Sequence, residues 1–295
     1  MSVAMRLALG SILVATLVLI LKYYAYLATG SIAFFSDALE TMVNLVASSA
    51  VLAAIWLSQK PADHNHPYGH HKAEYLSAVL EGVLIVLAAI AIFKEAYDAL
   101  LNPIPMTMPA SGLMLNAGAG VINGLWAMVL IRKGRKLKSP ALVGDGKHLL
   151  ADVLTTVGVL AGVALAYLTG ISELDPIVAI IVALHILYTG WELIRSSVSG
   201  LMDEAIPDEE LHMIRQIISL HADGAIEAHD LRTRHAGKLT FLDFHLVVPG
   251  TMSVHNAHDI CDRIEHALKD HNPGMAVTIH VEPESKAEHQ GIIVL

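Results

Sequence analysis

Along the first two hundred residues the apolar positions form six long runs, separated by short polar segments. The runs lie near 6–28, 32–58, 73–101, 108–131, 141–169 and 176–201. Each reaches the ~20 residues that a helix needs to cross the hydrocarbon core of a bilayer. The first run lacks a signal-peptide cleavage pattern and is followed at once by another, so a retained helix is expected there. Past Pro207 the period shortens. The pattern predicts a helix from Pro207 to about His221, strands over 227–234 and 239–248, a helix over 253–271 and a strand over 275–282. In FLDFHLVV, Leu242, Phe244, Leu246 and Val248 face one way while Asp243 and His245 face the other.

The expected fold class is therefore an α-helical membrane protein. Six transmembrane helices (residues 1–205) precede a cytoplasmic α+β domain (206–295) of αββαβ, ferredoxin-like type. Composition agrees, with 54% hydrophobic residues, 16% charged residues and a mean hydropathy of +0.55 over 295 residues. Residues 207–295 hold 14 of the 28 acidic side chains, 7 of the 19 basic ones and 11 of the 17 histidines. An acidic, histidine-rich surface suits cations and argues against nucleic acid. The single cysteine, Cys261, excludes an intramolecular disulfide and most thiolate metal sites.

Loop charge gives an orientation. The segment RKGRKLK (132–138) carries five basic side chains between the fourth and fifth runs, whereas ATGS, NPIPMTMP and TGISELD on the opposite side carry none. The positive-inside rule places RKGRKLK, both termini and the loop PADHNHPYGHHK in the cytoplasm. A multi-pass protein of a bacterial inner membrane is expected.

Two of the apolar runs carry matching polar faces. In SDALETMVN, Asp37, Glu40 and Asn44 are three and four residues apart; in GDGKHLLAD, Asp145, His148 and Asp152 repeat that spacing. Residues so spaced share one helical face. At ~1.5 Å per residue Glu40 and His148 lie roughly 14–15 Å from opposite ends of their helices, near mid-membrane. Antiparallel helices can thus gather Glu40, Asn44, His148 and Asp152 into a four-donor O/N cage for a divalent transition metal. Ionisable groups at that depth are costly to bury, which favours function over packing. Asp37 and Asp145 sit one turn away and either bind metal or line the path. Asp145 is close enough to the cytoplasmic rim to be a solvated entrance residue. Lys22, Lys94, Glu95, Asp98, Asn116, Asn123 and His185 read as snorkelling or packing groups.

In the second domain, His280 and Glu282 of TIHVEPE share the face opposite Ile279 and Val281, and His229 of HDLRTR can join His245 on it. In the loop, Asp63, His66 and His70 place a carboxylate and two imidazoles within eight residues, a zinc-compatible set.

The stretches GSIAFFSDALETMVNLVAS, PYGHHKAE, HLLADVLTT and MDEAIPDEE resemble the most recognisable segments of the cation diffusion facilitator family. The resemblance covers nearly the whole chain. It implies a homodimer that exports divalent metal in exchange for protons by alternating access. It matches Asp63, His66 and His70 to a second, loop-borne metal site and His258 to a further ligand position beside His229, His245, His280 and Glu282. It matches Lys72 and Asp203 to a charge pair that holds dimer helices together. Where the family has Asp/Asp or His/Asp in span two, this chain has Glu40 and Asn44. The neutral Asn oxygen makes the site harder and less zinc-selective. Zn²⁺ is the first choice, with Fe²⁺, Co²⁺, Ni²⁺, Cd²⁺ and Mn²⁺ open.

The metal is thus expected as transported substrate and as regulatory ligand, with no organic cofactor. A general base beside the metal, as in HExxH, is missing from the sequence, so an enzyme is not expected. A passive metal channel and a membrane-anchored metal sensor are the alternatives.

Overall fold

The computed structural model describes residues 1–29, 32–101, 110–169, 171, 173–288 and 291–293. The chain separates into two compact units, Met1–Val198 and Ser199–Leu295. The first is built from six helices of 27 to 30 residues: α1 (Val3–Thr29), α2 (Ile32–Ser58), α3 (Ala73–Leu101), α4 (Ala110–Lys136), α5 (Pro140–Thr169) and α6 (Leu174–Leu201). Among the described residues, α1, α3 and α6 contain segments that are long and apolar enough to cross a membrane by composition alone. Helices α2 and α5 carry the two polar faces, and α4 extends through the basic RKGRK segment into its last turn.

Helix α5 packs against α3 and α4 and also touches α1 and α2. Two apolar cores support it. One joins Ala8, Val51, Ile55, Leu130, Leu142 and Leu149 from α1, α2, α4 and α5. The other joins Ala78, Ile85, Ala89, Ala151, Ile186 and Leu193 from α3, α5 and α6. Helices α3 and α6 meet at Gly82 and Gly190, where a Cβ on either would lie 3.1–3.2 Å from the other's carbonyl oxygen. Small residues at such a crossing let backbones approach, which is how helices associate where no water drives them together. At one end of the bundle Glu74 fastens α3 to its neighbours. Its carboxylate accepts from the Ser58 hydroxyl of α2 (2.8 Å) and from the hydroxyl of Ser139, just before α5.

The second unit contains α7 (Asp208–His221), β1 (Glu227–Ala236), β2 (Leu239–Val248), α8 (Val254–His271) and β3 (Met275–Pro283). This is the expected αββαβ order. A two-residue strand, β4 (Ile292–Ile293), pairs antiparallel with β1 and was not foreseen. Two residues are too few for an alternation to register. The sheet order is β3-β2-β1-β4, with β1 antiparallel and β3 parallel to β2. Leu242, Phe244 and Leu246 are buried against Ile214 and Ile218 of α7 and Ile260, Ile264 and Leu268 of α8. Both helices therefore cover the apolar face predicted from FLDFHLVV. Cys261 packs in the same core, where burial pushes its thiol up from the ordinary value. Ser253 caps α8 by accepting from the Asn256 N–H at 3.2 Å.

Candidate metal centres

Helices α2 and α5 bring their polar faces together as an antiparallel pair. His148 Nε2 lies 2.8 Å from Asn44 Oδ1, and Asn44 Nδ2 donates to Asp152 Oδ2 at 2.5 Å. One turn further on, Ser48 donates to Asp145 Oδ1 at 3.1 Å. As the numbers rise on α2 they fall on α5, the register an antiparallel pair requires. Asn44 and His148 are buried. The side chains of Asp37 and Glu40 lie outside the described residues. Asp145 departs from the expectation of a solvated entrance. It is only 2% exposed, because the adjoining turns of α5 face into the bundle rather than toward the rim.

One member of this cluster was missed by the sequence reading. Glu81 of α3 is buried, and its Oε2 lies 3.3 Å from His148 Nδ1. The available signal was an acidic residue inside the apolar run SAVLEGVLIV. Acidic groups are rare in such runs and functional by default.

The loop between α2 and α3 gathers Asp63, His66 and His70, with candidate ligand atoms all within 4.8 Å of one another. Asp63 Oδ1 lies 3.3 Å from His66 Nδ1, and Asp63 Oδ2 lies 3.4 Å from His70 Nε2. Tetrahedral ligands with bonds of ~2.0–2.1 Å stand about 3.3 Å apart, so these spacings suit zinc. The loop is shaped locally. Asp63 Oδ1 accepts from the backbone N–H of His66 (2.7 Å) and of Asn65 (3.0 Å), and Gly69 takes a positive φ of 82°. The His66 backbone N–H, above the other contacts, holds the Asp63 carboxyl below its ordinary value.

In the second unit, strand register assembles the third centre. His229 pairs with His245, and His245 with His280, so three histidines form one row across β1, β2 and β3. His229 Nε2 stands 3.4 Å from Glu282 Oε2, and His245 Nδ1 stands 3.6 Å from Glu282 Oε1. These three residues form a metal-compatible group; His280 Nε2 joins its edge, 3.7 Å from Glu282 Oε1. His258 does not belong to this group. It sits on α8, which packs on the apolar face of the sheet, and its exposed ring lies 3.7 Å from Asp262. The amphipathic helix that buries Ile260 and Ile264 below turns His258 to solvent.

Two further carboxylates reach the row. Glu227 is buried, 3.5 Å from His229 Nδ1, and accepts from the Gly291 N–H at 3.1 Å. Asp230 approaches His245 Nε2 to 3.8 Å. Asp230 sits in a β-bulge between His229 and Arg232 with φ at 51°, so its side chain escapes the simple alternation. Glu227 obeys the alternation, two residues before His229, and could have been assigned to the polar face. Arg234 pairs with Asp203 at 3.1 Å.

A helical bundle with a buried carboxylate–imidazole cluster, joined to an αββαβ unit with a histidine row, has the donor chemistry of a protein that handles metal cations. Comparison makes the class specific. Residues 8–202 match the cation efflux transmembrane domain, and residues 206–284 match the cation efflux protein cytoplasmic domain. The chain belongs to the cation diffusion facilitator family. It is 43% identical to an uncharacterized transporter of Synechocystis sp., over 89% of this chain and 85% of that protein. It is 32% identical to the cation-efflux pump FieF of Cronobacter sakazakii, over 94% of this chain and 92% of that protein. Among solved structures, the zinc form of CzrB, a proposed zinc transporter, is 48% identical, with a TM-score of 0.28. That match covers 29% of this chain and 98% of that chain.

Proposed function

We propose that this cation efflux protein exports divalent transition-metal ions from the cytoplasm in exchange for protons, working as a homodimer by alternating access. Zn²⁺ is the first substrate, with Fe²⁺, Co²⁺, Ni²⁺, Cd²⁺ and Mn²⁺ as further candidates. The observation that carries the reading is the contact of Asn44, His148 and Asp152 between two antiparallel helices of the bundle. An imidazole, a carboxylate and an amide oxygen suit a borderline-soft divalent ion, and Glu40 is proposed as the fourth donor. Relatives that carry the name cation-efflux pump fit this reading.

The chemistry follows from the donors. Each must offer a lone pair, so metal arrival displaces protons and reprotonation weakens the hold on the metal. Imidazole is the side chain whose charge changes near neutral pH, which makes His148 the natural coupling group. Rocking of the helices around a fixed site then exposes it to either side in turn. The loop triad of Asp63, His66 and His70 and the row of His229, His245, His280 and Glu282 are proposed as sites for bound, regulatory metal. The basic RKGRKLK segment supports cytoplasmic termini and insertion in a bacterial inner membrane.

The test is metal-dependent uptake into liposomes carrying the full chain, with an internal pH dye, across Zn, Fe, Co, Ni, Cd and Mn. The expected result is uptake of at least one ion with opposite movement of protons. Metal movement without proton movement would favour a channel. No movement of any divalent ion would overturn the proposal.

A further inference from the structure

A third helix reaches the membrane cluster through Glu81. Glu81 lies within α3, 1% exposed, far too enclosed to turn its carboxyl toward water. Its position is fixed on two sides. A Cβ on Gly144 of α5 would sit 3.4 Å from both Cβ and Cγ of Glu81, and the next residue, Gly82, is pressed against α6. Its Oε2 is 3.3 Å from Nδ1 of His148, whereas Nε2 of the same ring faces Asn44. The two ring nitrogens therefore look in opposite directions, one toward the donors of α2 and one toward α3.

We propose that Glu81 is a positioning residue of the transport site, holding His148 by Nδ1 so that Nε2 is the nitrogen offered to the transported metal. The inference rests on the assignment of Asn44, His148 and Asp152 as that site. Nε2 faces the Asn44 oxygen in this structure and so carries a proton there; when metal takes that place the ring proton belongs on Nδ1, where Glu81 Oε2 at 3.3 Å stands as its acceptor. That acceptor also anchors the ring against rotation and raises its basicity as a ligand. Buried Glu81 places an oxygen acceptor beside the ring without occupying a ligand position.

The experiment uses the full chain in liposomes with Zn²⁺, and Co²⁺ as a spectroscopic probe. For the Co²⁺ spectra, Asp63→Ala and His229→Ala silence the other two centres. Glu81→Gln keeps an oxygen acceptor of the same length; Glu81→Met keeps the volume and removes the acceptor. The expected result is a rise in half-saturating metal concentration of about 10–100-fold for Glu81→Met. Glu81→Gln should show a smaller rise. The shape of the Co²⁺ visible bands should be unchanged in both, because the bonded atoms are the same. Thermal melting of Glu81→Gln at the wild-type temperature shows that the fold is intact. Unchanged half-saturation in Glu81→Gln and Glu81→Met would overturn the proposal, as would altered band shape, which would make Glu81 a ligand. His148→Ala is measured alongside. If it transports like the wild type, the underlying site assignment fails, a separate result from the failure of Glu81.

Discussion

The membrane cluster and the histidine row use the same donors, imidazole and carboxylate, on opposite kinds of scaffold. In the row, adjacent strands fix the spacing through backbone hydrogen bonds, and ring centroids fall 5.3 and 4.9 Å apart in register. Its two histidine–carboxylate contacts, at 3.4 and 3.6 Å, are close to the edge length of a tetrahedral zinc site. In the bundle, donors come from separate helices and bond to one another at 2.5–2.8 Å. Metal there must replace those hydrogen bonds and spread the helices slightly. Strands locked by a ladder hold a ligand; helices that shift as rigid bodies can accept and release one. The difference suits a regulatory site on the sheet and a transport site in the bundle.

The largest effect is expected from breaking the bundle cluster. His148→Ala or Asp152→Ala should abolish metal flux in liposomes while leaving zinc stabilisation of the cytoplasmic unit as in the wild type. Flux that survives both substitutions would dissolve the distinction. His245→Ala should do the converse. It removes the middle of the row, so the stabilisation from saturating zinc, about 2.7 kcal/mol at a hundred times Kd, should disappear from the melting transition of the cytoplasmic unit, followed separately from that of the helical bundle. Metal flux at saturation should fall by only a few-fold.

A smaller effect probes how tightly the helices of the bundle are packed. A Cβ at Gly82 would meet Ile194 Cγ1 at 2.6 Å and the Gly190 carbonyl at 3.1 Å. Gly82→Ala should therefore cost about 1–3 kcal/mol in unfolding measurements in detergent, the range for overpacked cores. The row, lying in the other unit, should keep its zinc affinity. A neutral result would show that α3 and α6 slide freely.

The smallest effect concerns the exposed loop. The Asp63 carboxyl is held below its ordinary 3.8, chiefly by the His66 backbone N–H. A depressed carboxyl contributes above its unfolded value and loses that contribution as pH falls through its folded value. With His66 and His70 replaced by Ala, which removes the neighbouring imidazoles but keeps the amide at position 66, that amide resonance should stay fixed from pH 8 to pH 5 and shift only below about 3.8. Movement at higher pH would place the loop's order elsewhere.

Legibility in the sequence followed local period. The three-and-four spacing on α2 and α5 was enough to pair Asn44 with His148 and Asp152, and strict alternation found the His245 face. Glu81 escaped because no second ionisable residue lies one turn away on its own helix; its partner is on α5. Asp230 escaped because a bulge with positive φ breaks the alternation on which strand faces are assigned. His258 was placed with the row by resemblance, although its helix is anchored by Ile260 and Ile264 on the opposite side of the sheet. Contacts between elements, not patterns within them, made the difference each time.

The central claim is that transported metal is held between α2 and α5. Anomalous scattering at the zinc edge from crystals of the full chain tests it most directly. The account predicts a peak within ~2.0–2.2 Å of His148 Nε2 and an Asp152 carboxylate oxygen. Zinc found only at the loop and at the histidine row, with none between Asn44, His148 and Asp152, would contradict it.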